Sequence, residues 1–227
     1  MKLVENITSI MKRISHAAMR TGRDPASVTL VAVTKGVGAE RLKEAVEAGL
    51  RVFGESRVKE AEEKISNLEF EISNSRICWH MIGHLQRNKA KQAVRLFELI
   101  HSVDSVELMG LLNKYASEAG KVQRVLIEVK LSHEEAKHGV EKGKLKGLIK
   151  EAESMRNMRV EGLMTIPPYS DDPEKSRPYF KELKRLRDEY GLKELSMGMT
   201  NDFEIAVEEG ATMVRVGTAI FGERGRG

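Results

Sequence analysis

The 227 residues contain a single cysteine, Cys78. No disulfide can form within the chain, which fits a reducing compartment and excludes the stapled secreted folds. Cys78 sits in the apolar run Ile77–Trp79, where a buried, inert thiol is expected, and no neighbour marks it as an activated nucleophile. No apolar run approaches the roughly 18 residues needed to cross a bilayer. The first residues, MKLVENITSIMKRISHAAM, contain acid and lack a compact apolar core followed by a small-residue cleavage site, so they are read as a helix of the mature, cytoplasmic protein. No internal repeat, low-complexity tract or linker divides the chain, and its length suits one domain.

Charge of one sign is also missing. Lys and Arg number 38 against 34 Asp and Glu, a net +4, with a pI of about 9.1. A basic pI can accompany nucleic-acid binding. Here acids and bases interleave, as in KELKRLRDEY and EAEEKISNLE, which marks solvated helix faces and not a phosphate-tracking stripe. The same reading covers the basic helix around Arg87–Arg95. No nucleic-acid or membrane partner is expected. His16, His101, His133 and His138 show no ligand spacing, so no metal site is expected either.

What the sequence does contain is a regular alternation. A leading helix covers Leu3–Arg20, with Leu3, Ile7, Ile10 and Ile14 on one face, and Gly22 ends it. Eight strand-like runs follow, at Val28–Thr34, Arg51–Gly54, Ile77–Gly83, Glu98–Val103, Val122–Leu131, Arg159–Ile166, Glu194–Gly198 and Thr212–Gly217. Seven helical segments separate them, and a short segment, TAIFGER, closes the last unit. Such alternation predicts a parallel sheet with helices outside. Eight units in one domain predict an α/β fold, a single (β/α)8 TIM-type barrel with an extra N-terminal helix. A doubly wound open sheet is the alternative, but TKGVGAE is a poor match to its glycine-rich first turn. The loop SHEEAKHG is the expected mobile segment.

In such a barrel, active groups project from the C-terminal strand ends. Lys35 follows the first strand with the parity of Val31 and Val33, which offers it the barrel interior. A lysine there can lose its proton and form a Schiff base, and a strand-end lysine reaching to solvent is the plain alternative. Arg215 lies inside the apolar eighth strand and must find partners, because an unpaired buried charge is costly. Gly217 and Thr218 follow it, and the loop after strand seven reads SMGMT before Asn201 and Asp202. Loops after strands seven and eight are the usual phosphate site of barrels. His80, on strand three, is a further candidate beside a structural reading. Two ligand classes satisfy this set. One is a phosphorylated sugar or keto acid held on a lysine; the other is pyridoxal 5′-phosphate (PLP), which brings its own phosphate and aldehyde.

The motifs VAVTKG, FGESRVKEA, WHMIGHLQRNK, IHSVDS, GLMTI, LSMGMTND and MVRVGTAIFGER, in that order between Val28 and Arg224, resemble the PLP homeostasis protein family. That family shares its fold with the N-terminal barrel of alanine racemase. The resemblance implies a Schiff base between PLP and Lys35, with Thr200, Gly217 and Thr218 at the phosphate and Arg215 facing the pyridine nitrogen. Three positions depart from the family pattern. Ser56 stands where Asn is usual, which bears on a side-chain contact near the cofactor. Gly36, Val37 and Gly38 follow the lysine where Pro often does, and Thr200 replaces a Ser while keeping the hydroxyl. Racemisation in the related enzymes needs a tyrosine from an additional domain across a dimer, and this chain ends after the eighth unit. The resemblance therefore implies no catalytic residue and no efficient enzyme. It implies a monomeric carrier or buffer in vitamin B6 homeostasis that serves apo PLP-dependent enzymes, with an amino-acid racemase or lyase as the alternative.

Overall fold

A computed structural model describes residues 2–71, 76–132, 134 and 138–222. Helix α1 (Lys2–Arg20) precedes strand β1 (Thr29–Val33). Then come α2 (Ala39–Glu47), β2 (Val52–Glu55), α3 (Val58–Glu71), β3 (Cys78–Met81), α4 (Ala90–Leu96), β4 (Leu99–Val103) and α5 (Val106–Glu118). The second half has β5 (Gln123–Lys130), β6 (Val140–Glu141), α6 (Lys142–Glu153), β7 (Met158–Met164), α7 (Arg177–Glu189), β8 (Glu194–Ser196), α8 (Phe203–Glu208), β9 (Met213–Val216) and α9 (Thr218–Phe221). All pairings are parallel. The strand order is β4-β3-β2-β1-β9-β8-β7-β5, and a β4–β5 pairing closes the ring.

The eight-stranded barrel therefore agrees with the alternation read from the sequence. The two-residue β6, which extends the sheet beside the end of β5, is additional to it. The basic helix around Arg87–Arg95 begins as a 3-10 turn at Arg87–Lys89, and α7 is preceded by one at Pro173–Ser176. In the second case the chain enters through Pro173, which has no N–H to donate and suits a first turn. Four residues of the expected mobile loop, 133 and 135–137, lie outside the described residues, as do the last two residues of the MVRVGTAIFGER motif.

Two apolar layers form the core. The larger lies between the strands and the helices. The smaller fills the barrel with Val31, Leu99, Leu126, Met164 and Met213. Strand side chains alternate with period two, so the residues two positions further along several strands form the next layer toward the C-terminal mouth. On β4, β5 and β9 these are His101, Glu128 and Arg215, all buried. The barrel is thus apolar in its middle and polar just beneath its mouth.

Helix α1 packs against α8 and α9 through Leu3, Ile7, Ile10, Ile14, Ala17 and Ala18. Ion pairs Arg13–Glu204 and Arg20–Glu208 flank this seam, each at 2.7 Å. Burial and not charge sets its strength. Ile14→Ala, at a site 1% exposed, lowers the urea-unfolding free energy by about 2–5 kcal/mol. Arg13→Ala lowers it by about 1 kcal/mol or less, because that pair is solvent-screened. Comparable losses in the two variants would contradict this account.

Candidate functional site

Lys35 lies two residues beyond the end of β1 and is half-buried. Its backbone is held from both sides. Thr34 is fully buried and donates from Oγ1 to Glu55 Oε1 at 2.6 Å. On α3, Glu60 and Lys64 stand four residues apart on one face. Lys64 Nζ donates to the Thr34 carbonyl, to Glu55 Oε1 and to Glu60 Oε1. Glu60 Oε1 also accepts the Gly36 amide. The carbonyl before Lys35 and the amide after it are therefore fixed by one side-chain cluster, and none of that cluster's described bonds goes to the lysine's own amine.

The charges in this cluster are unequal. Burial raises the pKa of Glu55, against the lowering effect of its bonds to Lys64 and Thr34. Burial alone would raise Glu60 too, but the bonds from Lys64 and Gly36 bring it below the usual carboxylate value. Lys64 is thus the cation on which a fully buried carboxylate depends.

Lys35, Ser56, Met81, Gly83, His84 and Gln86 are among the residues lining a cavity of about 480 Å³. A second cavity of about 550 Å³ is lined by Thr200, Asn201, Asp202, Thr218 and Tyr169, among others. Among the described residues the two cavities share no lining side chain. They open from neighbouring strands of the same mouth, since β1 pairs with β9 in the register Ala32↔Val216, and Gly217 follows directly.

The loop bearing Thr200 is built locally. Asp202 is buried and accepts the Met199 amide at Oδ1, 2.7 Å away, while the Phe203 amide donates to the Met199 carbonyl. The Gly198 carbonyl accepts the Arg215 amide, which ties the loop to β9. Thr218 begins α9, whose first amides have no acceptor within the helix.

Arg215 reaches inward. Its Nη1 donates to Ser196 Oγ at 2.6 Å and its Nη2 to the Thr165 carbonyl at 3.0 Å. Ser196 Oγ lies 2.8 Å from His101 Nδ1, and His101 Nε2 lies 3.0 Å from His80 Nδ1. Guanidinium can only donate, so the Ser196 hydroxyl accepts from Arg215 and shares its remaining hydrogen-bonding capacity with His101 Nδ1. His101 and His80 share one ring proton across their 3.0 Å contact. The chain links the cation to two neutral imidazoles. Burial agrees, lowering the His80 pKa to about 4 and that of His101 well below its usual value. Burial likewise lowers Arg215, to about 10, against the pull of Glu128 and Asp202, and leaves it charged near neutrality.

His80 was expected at the site. The structure places it in the interior layer, at the far end of the chain from Arg215, and not on the lysine cavity wall. Glu128 was not singled out in the sequence. Burial raises its carboxyl to about 7, against the attraction of Arg215. Cys78 is half-buried, and burial, with the nearby Glu98 charge, raises its pKa, in keeping with an inert thiol.

The chain matches the family profile described as the alanine racemase N-terminal domain over residues 6–225. It is 44% identical to the pyridoxal phosphate homeostasis protein of Aquifex aeolicus, over 99% of both chains. The chain belongs to the pyridoxal phosphate homeostasis protein family. Among solved structures, a Bifidobacterium adolescentis protein described as unknown superposes with a TM-score of 0.90 at 33% identity, over 97% of this chain and 94% of that one. PipY of Synechococcus elongatus PCC7942, solved with PLP bound, superposes with a TM-score of 0.83 at 35% identity, over 97% of this chain and all of that one. The barrel with its leading helix is therefore the fold of this family.

Two outcomes check the site's internal logic. Removing one partner of a buried ion pair costs about 3–5 kcal/mol. Lys64→Met therefore lowers unfolding free energy on that scale, and adding Glu55→Gln restores most of it. A double variant no more stable than Lys64→Met would show that the pair is not coupled. The second outcome concerns pH. Between the usual imidazole value of 6.5 and about 4, the unfolded chain binds protons on His80 and His101 that the fold refuses, so acidification destabilises. Glu128 acts oppositely between 7 and 4.5, because there the fold binds the proton more tightly. Each group contributes at most about 1.4 kcal/mol per pH unit. In Glu128→Gln the unfolding free energy falls more steeply from pH 6.5 to 5 than in the parent, by up to about 1.4 kcal/mol per pH unit. Parallel slopes would exclude Glu128 as the compensating group.

Proposed function

We propose that this chain binds PLP covalently through the Lys35 amine and acts as a carrier or buffer in intracellular PLP homeostasis, without efficient catalysis of its own. The observation that carries the reading is the division of labour at Lys35: both flanking peptide groups are clamped while the amine borders a cavity. Family membership supports it, as does the related PipY structure that holds PLP.

The donor set fits the group. A primary amine, two threonine hydroxyls on adjacent loops and a buried guanidinium match an aldehyde, a phosphate and a ring nitrogen in turn. When bound, the cofactor supplies an aldehyde that condenses reversibly with an amine. The protein's own residues do the rest. Lys35 supplies the amine. Thr200, Gly217 and Thr218 receive the phosphate, and Asp202 holds their loop in shape. Ser56 borders the lysine cavity in place of the usual Asn. Arg215, charged and fixed by Ser196 and the Thr165 carbonyl, faces the ring nitrogen, and His80 supports it through His101. A guanidinium does not hand over a proton readily, so the ring nitrogen is left a weak electron sink. That suits holding the cofactor more than rearranging an amino acid.

We place the protein in the cytoplasm as a monomer that exchanges PLP with apo PLP-dependent enzymes. Among the described residues no helix is long and apolar enough to cross a membrane, and the lone cysteine fits a reducing compartment.

The purified protein, incubated with PLP, is expected to absorb in the visible. Borohydride bleaches it and leaves one pyridoxyl group, mapped by mass to Lys35, and Lys35→Ala stays colourless. An adduct elsewhere, or none, sinks the binding claim. Transfer to an apo-enzyme no faster than from free PLP at equal concentration sinks the delivery claim and leaves the buffer.

A further inference from the structure

Three loops at the mouth of the barrel converge on a second site. We propose that His84, Asp104 and His138 bind a divalent transition cation of the zinc, copper or nickel class. One ligand atom from each residue lies within 4.8 Å of the other two. His84 Nδ1 is 3.6 Å from Asp104 Oδ2. The His84 and His138 rings are stacked, with centroids 3.8 Å apart and planes 12° from parallel.

The backbone beneath each ligand is fixed independently of the others. His84 follows Gly83, where a Cβ would come within 2.5 Å of the Ser56 carbonyl oxygen. The Gly83 carbonyl also accepts from Ser102 Oγ. Asp104 sits between the end of β4 and Ser105, whose hydroxyl caps α5 by accepting the Leu108 amide. His138 precedes Gly139, which has a φ of +114° and where a Cβ would come within 2.9 Å of the Lys130 amide nitrogen and 3.1 Å of the Glu128 carbonyl oxygen. No spacing rule links the three residues along the chain; the ends of β3 and β4 and the entry to β6 bring them together.

Two imidazoles and one carboxylate make a common zinc donor set that leaves a fourth position open. Metal bonds of about 2.0–2.2 Å require the three atoms to draw closer than they now stand. The exposed imidazoles supply that by side-chain rotation over an anchored backbone. Nitrogen donors favour zinc, copper and nickel, and disfavour magnesium and calcium, which prefer all-oxygen shells. His84 also lines the Lys35 cavity, so the cation would lie on the rim of that cavity and tie its loops together.

The test is calorimetric titration of untagged, metal-free protein with zinc chloride, without PLP, so that it is independent of the cofactor reading. One saturable site is expected, with a Kd of about 1 μM or tighter. His84→Gln and His138→Gln each weaken it by about tenfold or more, and Asp104→Asn by about tenfold. Cys78→Ser leaves it unchanged, and cobalt gives a visible spectrum without thiolate charge-transfer bands. Circular dichroism checks that the rim variants fold. No saturable binding, binding indifferent to both histidine variants, or binding lost in Cys78→Ser overturns the proposal.

Discussion

The guanidinium of Arg215 is the constraint around which the barrel interior is arranged. A charge buried in this way costs several kcal/mol unless its donors find acceptors. The fold supplies them with the Ser196 hydroxyl and the Thr165 carbonyl. Each supplier then has needs of its own. Ser196 is hydrogen-bonded to His101, and His101 to His80. Glu128 adds a carboxyl whose charge Arg215 favours and whose burial opposes. The interior layer beneath the mouth is consequently polar and hydrogen-bonded, and the layer below it is apolar.

The second constraint acts on the backbone. A covalent anchor of the kind proposed for Lys35 needs a fixed root and a free tip. Lys64 and Glu60 grip the peptide groups on either side of Lys35, and neither touches the amine in any described contact. The cluster lies between the sheet and α3, away from the cavity, because Thr34 and Glu55 have the opposite strand parity to Lys35 and Ser56. Chemistry and support thus occupy opposite faces of the same two strands.

This parity also explains what could be read from the sequence. Strand alternation and helix punctuation exposed all eight strand–helix units, because each strand buries both faces and each helix one. Arg215 announced itself as a charge within an apolar run. Glu128 sends the same signal in VLIEVK, and the rule applied to the arginine would have found it. Lys64 could not be found that way, since Glu60 and Lys64 look like any solvated pair on a helix. His80 was legible as unusual but not as the end of a relay, because its partners come from β4 and β8. The rim cluster drew no attention for a similar reason, as its members meet only when three loops close over one mouth.

In the proposed ligand geometry, the charge state of Arg215 would favour holding PLP over working it. A strong electron sink needs a protonated ring nitrogen, stabilised by an acid that can share its proton. Arg215 stays cationic near neutrality even after burial has lowered its pKa. Its Ser196 and Thr165 partners fix it as a donor. The imidazoles behind it are held neutral by burial, so no proton is delivered through them from the interior. Glu128 titrates near neutrality, but its charge stabilises the guanidinium and does not replace it. Every group in the layer therefore keeps Arg215 a fixed cation, and a ring partnered as proposed would be easier to store than to activate.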